Sequence, residues 1–413
     1  MSLKNICNSI VVLLIFVSFI GAETFNWEKV LSTAEKKNPS LLKAKQLLEE
    51  AELDYKSSFS SFLPQINVSV DTARSGSENV PETQRYSTGL SGRLTLFSGF
   101  NNLAQIKIKE ISLQIAREQY RKTKINTLYE LKKNFVNLLW AKEYYNLVQK
   151  ILSRRKDNYE LLKLRYESGK EDKGSLLKVE ADMLSAEYEV KKSERLVNLY
   201  KRELLSTMGV KENTDIEIEG DLIISQPLKI SFEKKVGEIP EYKIAQLNLL
   251  KTEQEIILSK SNFYPSISAS GNISKSGTQF SPENLSWSTG LSLSVALFSG
   301  GKNYYSYLIA KKSFEIKKQE LEETYLELVS RFESLYSNYI DLSENLTVQQ
   351  KYLTASEEQS KITTLKYLNG FVSYYEWYLV ENEYINSEKS FLTLKKNFIL
   401  SELELKKFLC FEE

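Results

Sequence analysis

Seven prolines punctuate the 413 residues, and six of them form pairs. Pro39, Pro64 and Pro81 return as Pro240, Pro265 and Pro282, each 201 residues on (240−39). Gly76, Gly89, Gly99 and Gly169 keep the same offset and return as Gly277, Gly290, Gly300 and Gly370, so Leu96-Phe97-Ser98-Gly99 is repeated as Leu297-Phe298-Ser299-Gly300. Proline and glycine are tied to backbone geometry, so their spacing implies one architecture built twice.

The block that opens each copy alternates with the period of a strand. Ile66, Val68 and Val70 fall on one face against Gln65, Asn67, Ser69 and Asp71, and Leu90, Leu94 and Leu96 alternate with Ser91, Arg93 and Thr95. In the second copy Ile267, Ala269 and Ile273 oppose Ser266, Ser268, Ser270 and Asn272, and Trp287, Leu291, Leu293, Val295 and Leu297 oppose Ser288, Ser292 and Ser294. Alternation alone fits a soluble hairpin. Strands of about ten residues with one apolar face, and a wet face of Ser, Asn and Gln, also fit the wall of a membrane barrel.

Residues 1–22 carry Lys4, an apolar run from Ile10 to Ile20 and a small-residue end at Gly21-Ala22, which reads as a secretory signal peptide. Cys7 lies inside that leader and no Leu-x-Gly-Cys motif stands at the cleavage point, so no lipid anchor is expected. Cys410 is then the only thiol, and an exported fold must be held without an internal disulfide. Removing Lys4 leaves 54 basic against 54 acidic residues, with no basic excess to suggest nucleic acid. The chain contains no histidine, which removes histidine triads and imidazole metal sites. No nucleophile–base pairing, phosphate loop or metal-ligand spacing stands out, so no enzymatic role, cofactor or metal is expected.

The periodicity places a first repeat at 23–212, with a hairpin at 63–98, a long helix at 100–168 and a helix at 175–208. Asn38-Pro39 reads as a helix start, and Ser175 as the cap of the helix that follows the first long one. An acidic linker is expected at 213–231, then a second repeat at 232–413 with a hairpin at 264–298, a long helix at 302–369 and a helix at 375–409. Neither proline nor glycine interrupts Phe100 to Ser168, and Ile125, Leu128, Leu131, Phe135 and Leu138 step as a coiled-coil seam. A helix of that length, about 105 Å, needs other helices along it.

With Asn38-Pro39-x-Leu41, Leu63-Pro64-Gln65, the duplicated Leu-Phe-Ser-Gly and the Tyr-x-x-Gly turns at Tyr166 and Tyr367 in view, the chain resembles the TolC-like outer-membrane efflux family over nearly its whole length. The fold implied is mainly α with a membrane β-barrel contribution, in two tandem repeats of helix, β-hairpin, very long helix and helix. The resemblance implies a homotrimer with a twelve-stranded barrel in outer-membrane lipid, continued by a periplasmic α-helical barrel. It also implies an exit duct of a tripartite pump or type I secretion system, reaching an inner-membrane transporter through a periplasmic adaptor.

The turns Leu164, Tyr166, Gly169 and Leu365, Tyr367, Gly370 would dock that adaptor. Glu376 matches a family acidic position that rings the entrance, while Leu379 fills the next such position. Tyr374, Tyr375, Trp377 and Tyr378 crowd the same turn and read as packing between helices. The rival expectation is a secreted or periplasmic coiled-coil structural protein or adhesin, soluble without detergent.

Overall fold

The computed structural model describes residues 23–211, 215–225 and 231–411. The expected leader, and Pro227 of the connecting segment, lie outside the described residues. The chain opens with β1 (Glu23–Phe25) and α1 (Trp27–Lys37), which is capped by Asn26 and buries Val30 and Ala34. Asn38 ends α1 and starts α2 (Pro39–Ser58), its side chain accepting from the Leu41 N–H at 2.9 Å with proline in the first turn. A hairpin follows, β2 (Gln65–Ser77) and β3 (Val80–Ser98). Then come α3 (Asn101–Glu167) and α4 (Lys173–Met208).

β4 (Ile216–Ile218) leads to α5 (Pro240–Lys260), the hairpin β5 (Ser266–Gly277) and β6 (Asn284–Ser294), α6 (Lys302–Leu368) and α7 (Tyr374–Phe408). α3 and α6 each hold 67 residues, about 100 Å of helix at 1.5 Å per residue. With no glycine or proline inside them, nothing in the sequence breaks either one.

No single neighbour covers α3. α2 and α5 lie along its first half, and α4 and α7 along its second. Ion pairs mark the succession: Lys109 with Asp54 of α2 at 2.7 Å, Lys122 with Glu241 of α5 at 3.0 Å, and Lys156 with Glu187 of α4 at 3.5 Å. These exposed pairs register the helices and add little stability. The stabilising mass is a core at mid-length, where Leu131 and Leu138 of α3, Leu204 and Met208 of α4, Tyr339 of α6 and Leu405 of α7 are fully buried.

Part of the 213–231 segment, expected as the linker between the halves, adds to that core. β4 pairs in parallel with β1, Phe25 opposite Ile218, and Ile216, Ile218 and Leu222 are buried against the helices. The α4 terminus docks beside it. Gly209, at φ +80°, lies so close to the α1–α2 junction that a Cβ would sit 2.2 Å from the Lys37 carbonyl oxygen, and the Asn38 amide donates to the Thr207 carbonyl at 2.6 Å.

The four long strands form one antiparallel sheet in the order β2-β3-β5-β6. Its register stacks the apolar residues in rows across all four strands: Val68, Leu90, Ile273 and Trp287 stand side by side on one face. Asn67, Ser91, Asn272 and Ser288 form the adjacent row on the other. A bulge between Thr95 and Phe97 alters one expectation, because it sets Phe97, and not Leu96, opposite Ile267 on the apolar face. Val68, Val70, Trp287, Leu291 and Leu293 are exposed, and β2 and β6 end the sheet as edges.

Candidate functional site

The end of the molecule remote from the sheet is built by the two helical turns, and both have the same backbone. Gly169 stands at φ +69° and donates to the Tyr166 carbonyl at 2.9 Å, while Lys170 donates to the Arg165 carbonyl at 2.8 Å. Gly370, at φ +78°, donates to the Tyr367 carbonyl at 3.1 Å, and Phe371 to the Lys366 carbonyl at 2.8 Å. This pair of bonds is the Schellman closure, which needs a left-handed residue after the helix and so selects glycine.

The helices that follow are capped differently. Asp172, not Ser175, caps α4: its carboxylate accepts from the Ser175 N–H and the Ser175 hydroxyl, both at 2.9 Å. The N–H bond above all, then the hydroxyl, holds that carboxyl below its ordinary value. Ser373 caps α7, accepting from the Glu376 N–H at 3.2 Å. The spacing Ser373-x-x-Glu376 is a capping-box signal visible in the sequence. Only the serine half of the box forms, and the Glu376 carboxylate is exposed and in no ion pair among the described residues.

The two tyrosines of the turns have opposite fates. Tyr166 is 38% exposed, whereas Tyr367 is 1% exposed. Tyr367 lies flat on Trp377, ring centroids 4.8 Å apart at 6°, under the Arg165 guanidinium at 4.3 Å. Its hydroxyl donates to Glu171 at 2.7 Å, and Arg165 also donates to the Tyr367 and Leu368 carbonyls, each at 3.1 Å. Burial, and then the bond to Glu171, raise the hydroxyl well above its usual value, so it remains a donor.

Tyr367 with Trp377, Leu162 and Val179 thus forms a small core that ties turn to turn, and Tyr367 is not on the surface that the turns present. Leu164 and Leu365 are on that surface, and so is Phe371, which no sequence motif singled out. Behind the second turn a cleft of about 550 Å³ is lined by Arg154, Glu357, Ser360, Trp377 and Glu381. Arg154 engages Glu388 and lies 3.9 Å from Glu381, to which Ser360 donates at 2.8 Å, while the Arg154 Nε has no hydrogen-bond partner among the described residues. No group of three or more His, Cys, Asp or Glu among the described residues could hold a metal ion.

At the sheet end aromatic residues gather at two levels. Phe97, Phe100 and Tyr264 pack edge to face where strands meet helices, and Tyr86 packs on Phe280 toward the hairpin tips. Eleven residues of β3 separate Tyr86 from Phe97, about 36 Å of strand, or roughly 26 Å of height at a 45° tilt. That matches the apolar band of an outer-membrane barrel bounded by aromatic girdles. Among the described residues no helix is long and apolar enough to cross a membrane.

The family model for outer membrane efflux proteins matches residues 30–209 and 239–410. The chain belongs to the outer membrane efflux protein family. This efflux protein is 21% identical over 395 residues to the probable outer membrane lipoprotein SilC of Salmonella typhimurium, spanning 91% of this chain and 84% of that one. It is 20% identical, over the same shares, to the cation efflux system protein CusC of Escherichia coli K12.

In fold it resembles crystal structures of CusC (TM-score 0.83, 18% identity, 92% of this chain and 91% of that). It also resembles VceC of Vibrio cholerae (TM-score 0.79, 17% identity, 92% and 95%). The efflux protein is an outer-membrane efflux channel, and its family is one of ducts, not enzymes. The secreted-filament reading is not favoured by these relations.

Proposed function

We propose that three copies of the efflux protein close a twelve-stranded barrel in outer-membrane lipid and a hollow helical barrel below it. The complex is a passive conduit, joined by a periplasmic adaptor to an inner-membrane transporter. The observation that carries this reading is the sheet: four strands with one face apolar and exposed, ending in two unpaired edges, β2 and β6. Lipid tolerates no open edge, so the strands must close with those of other copies. The helices agree, since α6 packs extensively only on α5 and α7 and meets α3 at the turn end, whereas α3 packs extensively on α2, α4, α5 and α7.

In this reading Leu164, Tyr166, Gly169, Leu365 and Gly370 present the adaptor-docking turns, with Phe371 beside them, and Tyr367 holds the turns together from within. Glu376, exposed at the start of α7, contributes one carboxylate per copy to an entrance ring, where like charges brought together favour cations. CusC, a relative by sequence and fold, is a cation efflux system protein.

Membrane fractionation followed by gels of unheated and heated detergent extracts tests the assembly. A heat-sensitive trimer in the outer membrane is expected; a monomer in unheated extracts would overturn it. The docking is tested by Gly370→Pro, since proline can neither adopt φ +78° nor donate to Tyr367. Export should be lost while the trimer persists, and retained export would remove the turn from the docking surface.

A further inference from the structure

The internal duplication determines how two copies meet. Within one chain β3 of the first half pairs with β5 of the second: Leu90 faces Ile273, Arg93 faces Ser270, Leu94 faces Ala269, and past the bulge Phe97 faces Ile267. At the offset of 201 residues β6 is the counterpart of β3, and β2 is the counterpart of β5. We propose that β6 pairs with β2 of a second copy in the transposed register. Leu291 then lies opposite Thr72, Leu293 opposite Val70, Ser294 opposite Ser69, and Phe298, past an equivalent bulge, opposite Ile66. This rests on the closed-barrel reading and adds the residue pairs of the seam.

Three features of the single chain point to this register. First, the faces agree. Leu291 and Leu293, on the apolar face, meet Thr72 and Val70 of the same face, and the inward Ser292 and Ser294 meet the inward Asp71 and Ser69. A slip of one residue would set every lipid-facing side chain against a lumen-facing one.

Second, β6 stops short. β3 continues to Ser98 because β5 accompanies it, whereas β6 ends at Ser294 and leaves Leu297 and Phe298 94% and 88% exposed.

Third, at the base of the sheet a contact within a half occurs twice and a contact between halves occurs once. The Asn102 amide donates to the Ser61 carbonyl at 3.2 Å, and Asn303 repeats this on Asn262 at 3.2 Å. Gly99 abuts the second half, where a Cβ would lie 2.5 Å from the Ser261 carbonyl oxygen and 2.8 Å from the Tyr264 Cβ. Gly300 has nothing within 4 Å. Its missing neighbours, by the offset, are Ser60 and Leu63 of the next copy, and Leu63 is exposed.

Cysteine pairs in the full chain test the register. Ser294→Cys with Ser69→Cys probes the inward row, and Leu293→Cys with Val70→Cys the outward one. Ser294→Cys with Asp71→Cys, and with Asn67→Cys, probes slips of two residues. Opposed Cβ atoms lie within disulfide reach, whereas diagonal positions about 7 Å apart do not. Single-cysteine variants control for the buried Cys410.

After oxidation of outer membranes, the transposed pairs are expected to give a boiling-resistant species of three times the monomer mass, and the slipped pairs monomer. Linkage through a slipped pair, or heat-sensitive trimers in which no transposed pair links, would overturn the register and leave the barrel standing. Absence of any trimer in all variants and in the parent protein would overturn the barrel reading itself.

Discussion

Removing one oxygen from Tyr367 should loosen the turn end measurably. In Tyr367→Phe the ring keeps its stack on Trp377 and its place under Arg165, so the change isolates the hydroxyl bond to Glu171 at 2.7 Å. A hydrogen bond to a charged group contributes about 1.5–3 kcal/mol when its loss leaves a buried partner short of a donor. Glu171 is largely buried and retains Arg165 at 3.8 Å, which offsets part of that loss, so about 2 kcal/mol is expected. That corresponds to roughly thirtyfold in an opening equilibrium.

The assay is hydrogen exchange at the amides of Asn369, Gly370 and Phe371, which close the second turn onto Leu365, Tyr367 and Lys366. Exchange there proceeds through local opening, so protection should fall by about thirtyfold. The buried core at mid-length should be unaffected. A change below about threefold would refute the reasoning, because the hydroxyl bond would then be replaced by water at no net cost.

Other perturbations probe the remaining parts. Gly169→Ala should cost about 1 kcal/mol, since φ is positive but the space is open, whereas Gly209→Ala should cost several times more because its Cβ would strike the Lys37 carbonyl. Thermal inactivation of detergent extracts compares them, and equal losses would deny the close approach. The Asp172 carboxyl has a folded value below its ordinary 3.8, so its cap is fully present above that pH and is lost as pH falls through the folded value. Protection of the Ser175 and Leu176 amides, taken relative to intrinsic exchange at each pH, should therefore fall below about pH 4, and Asp172→Asn should abolish that fall; protection that does not change with pH in the parent protein would sink the assignment. Glu376→Ala should raise conductance and weaken cation preference in planar bilayers, and unchanged conductance would place the entrance constriction elsewhere.

The duplication was legible because proline and glycine answer to backbone geometry, which tertiary packing rarely overrides. The strands were legible because Ile66, Val68 and Val70 keep the period of a pleat. What escaped was decided by neighbours distant in sequence. Thr95–Phe97 reads as unbroken alternation, yet a bulge moves Phe97 onto the apolar face, and with Leu96 and Phe97 both apolar the pattern holds no trace of it. Ile216-x-Ile218 is too short for any period, and it becomes a strand only because Phe25 and its neighbours run alongside. Tyr166 and Tyr367 occupy the same place in the same motif, so no local signal could say that one would be half exposed and the other buried.

Three residues that hold Tyr367 are replaced at the equivalent places of the other half, and this has a consequence for the assembly. At the offset of 201, Trp377 corresponds to Leu176, Arg165 to Lys366 and Glu171 to Val372. Tyr367 therefore has a ring to stack on, a guanidinium fork above it and a carboxylate for its hydroxyl, and the counterparts around Tyr166 offer none of these. Lysine cannot replace the fork, because a point ammonium does not reach two carbonyls and a ring face in one geometry.

In the proposed trimer the strands keep sixfold regularity at the sheet end. At the turn end a tight contact inside each copy would alternate with a looser one between copies. Wild-type exchange reads this directly: the amides of Asn369, Gly370 and Phe371 should be more protected than those of Ser168, Gly169 and Lys170, which close the first turn through the same bonds. Equal protection would mean that contacts between copies make good what Leu176, Lys366 and Val372 lack.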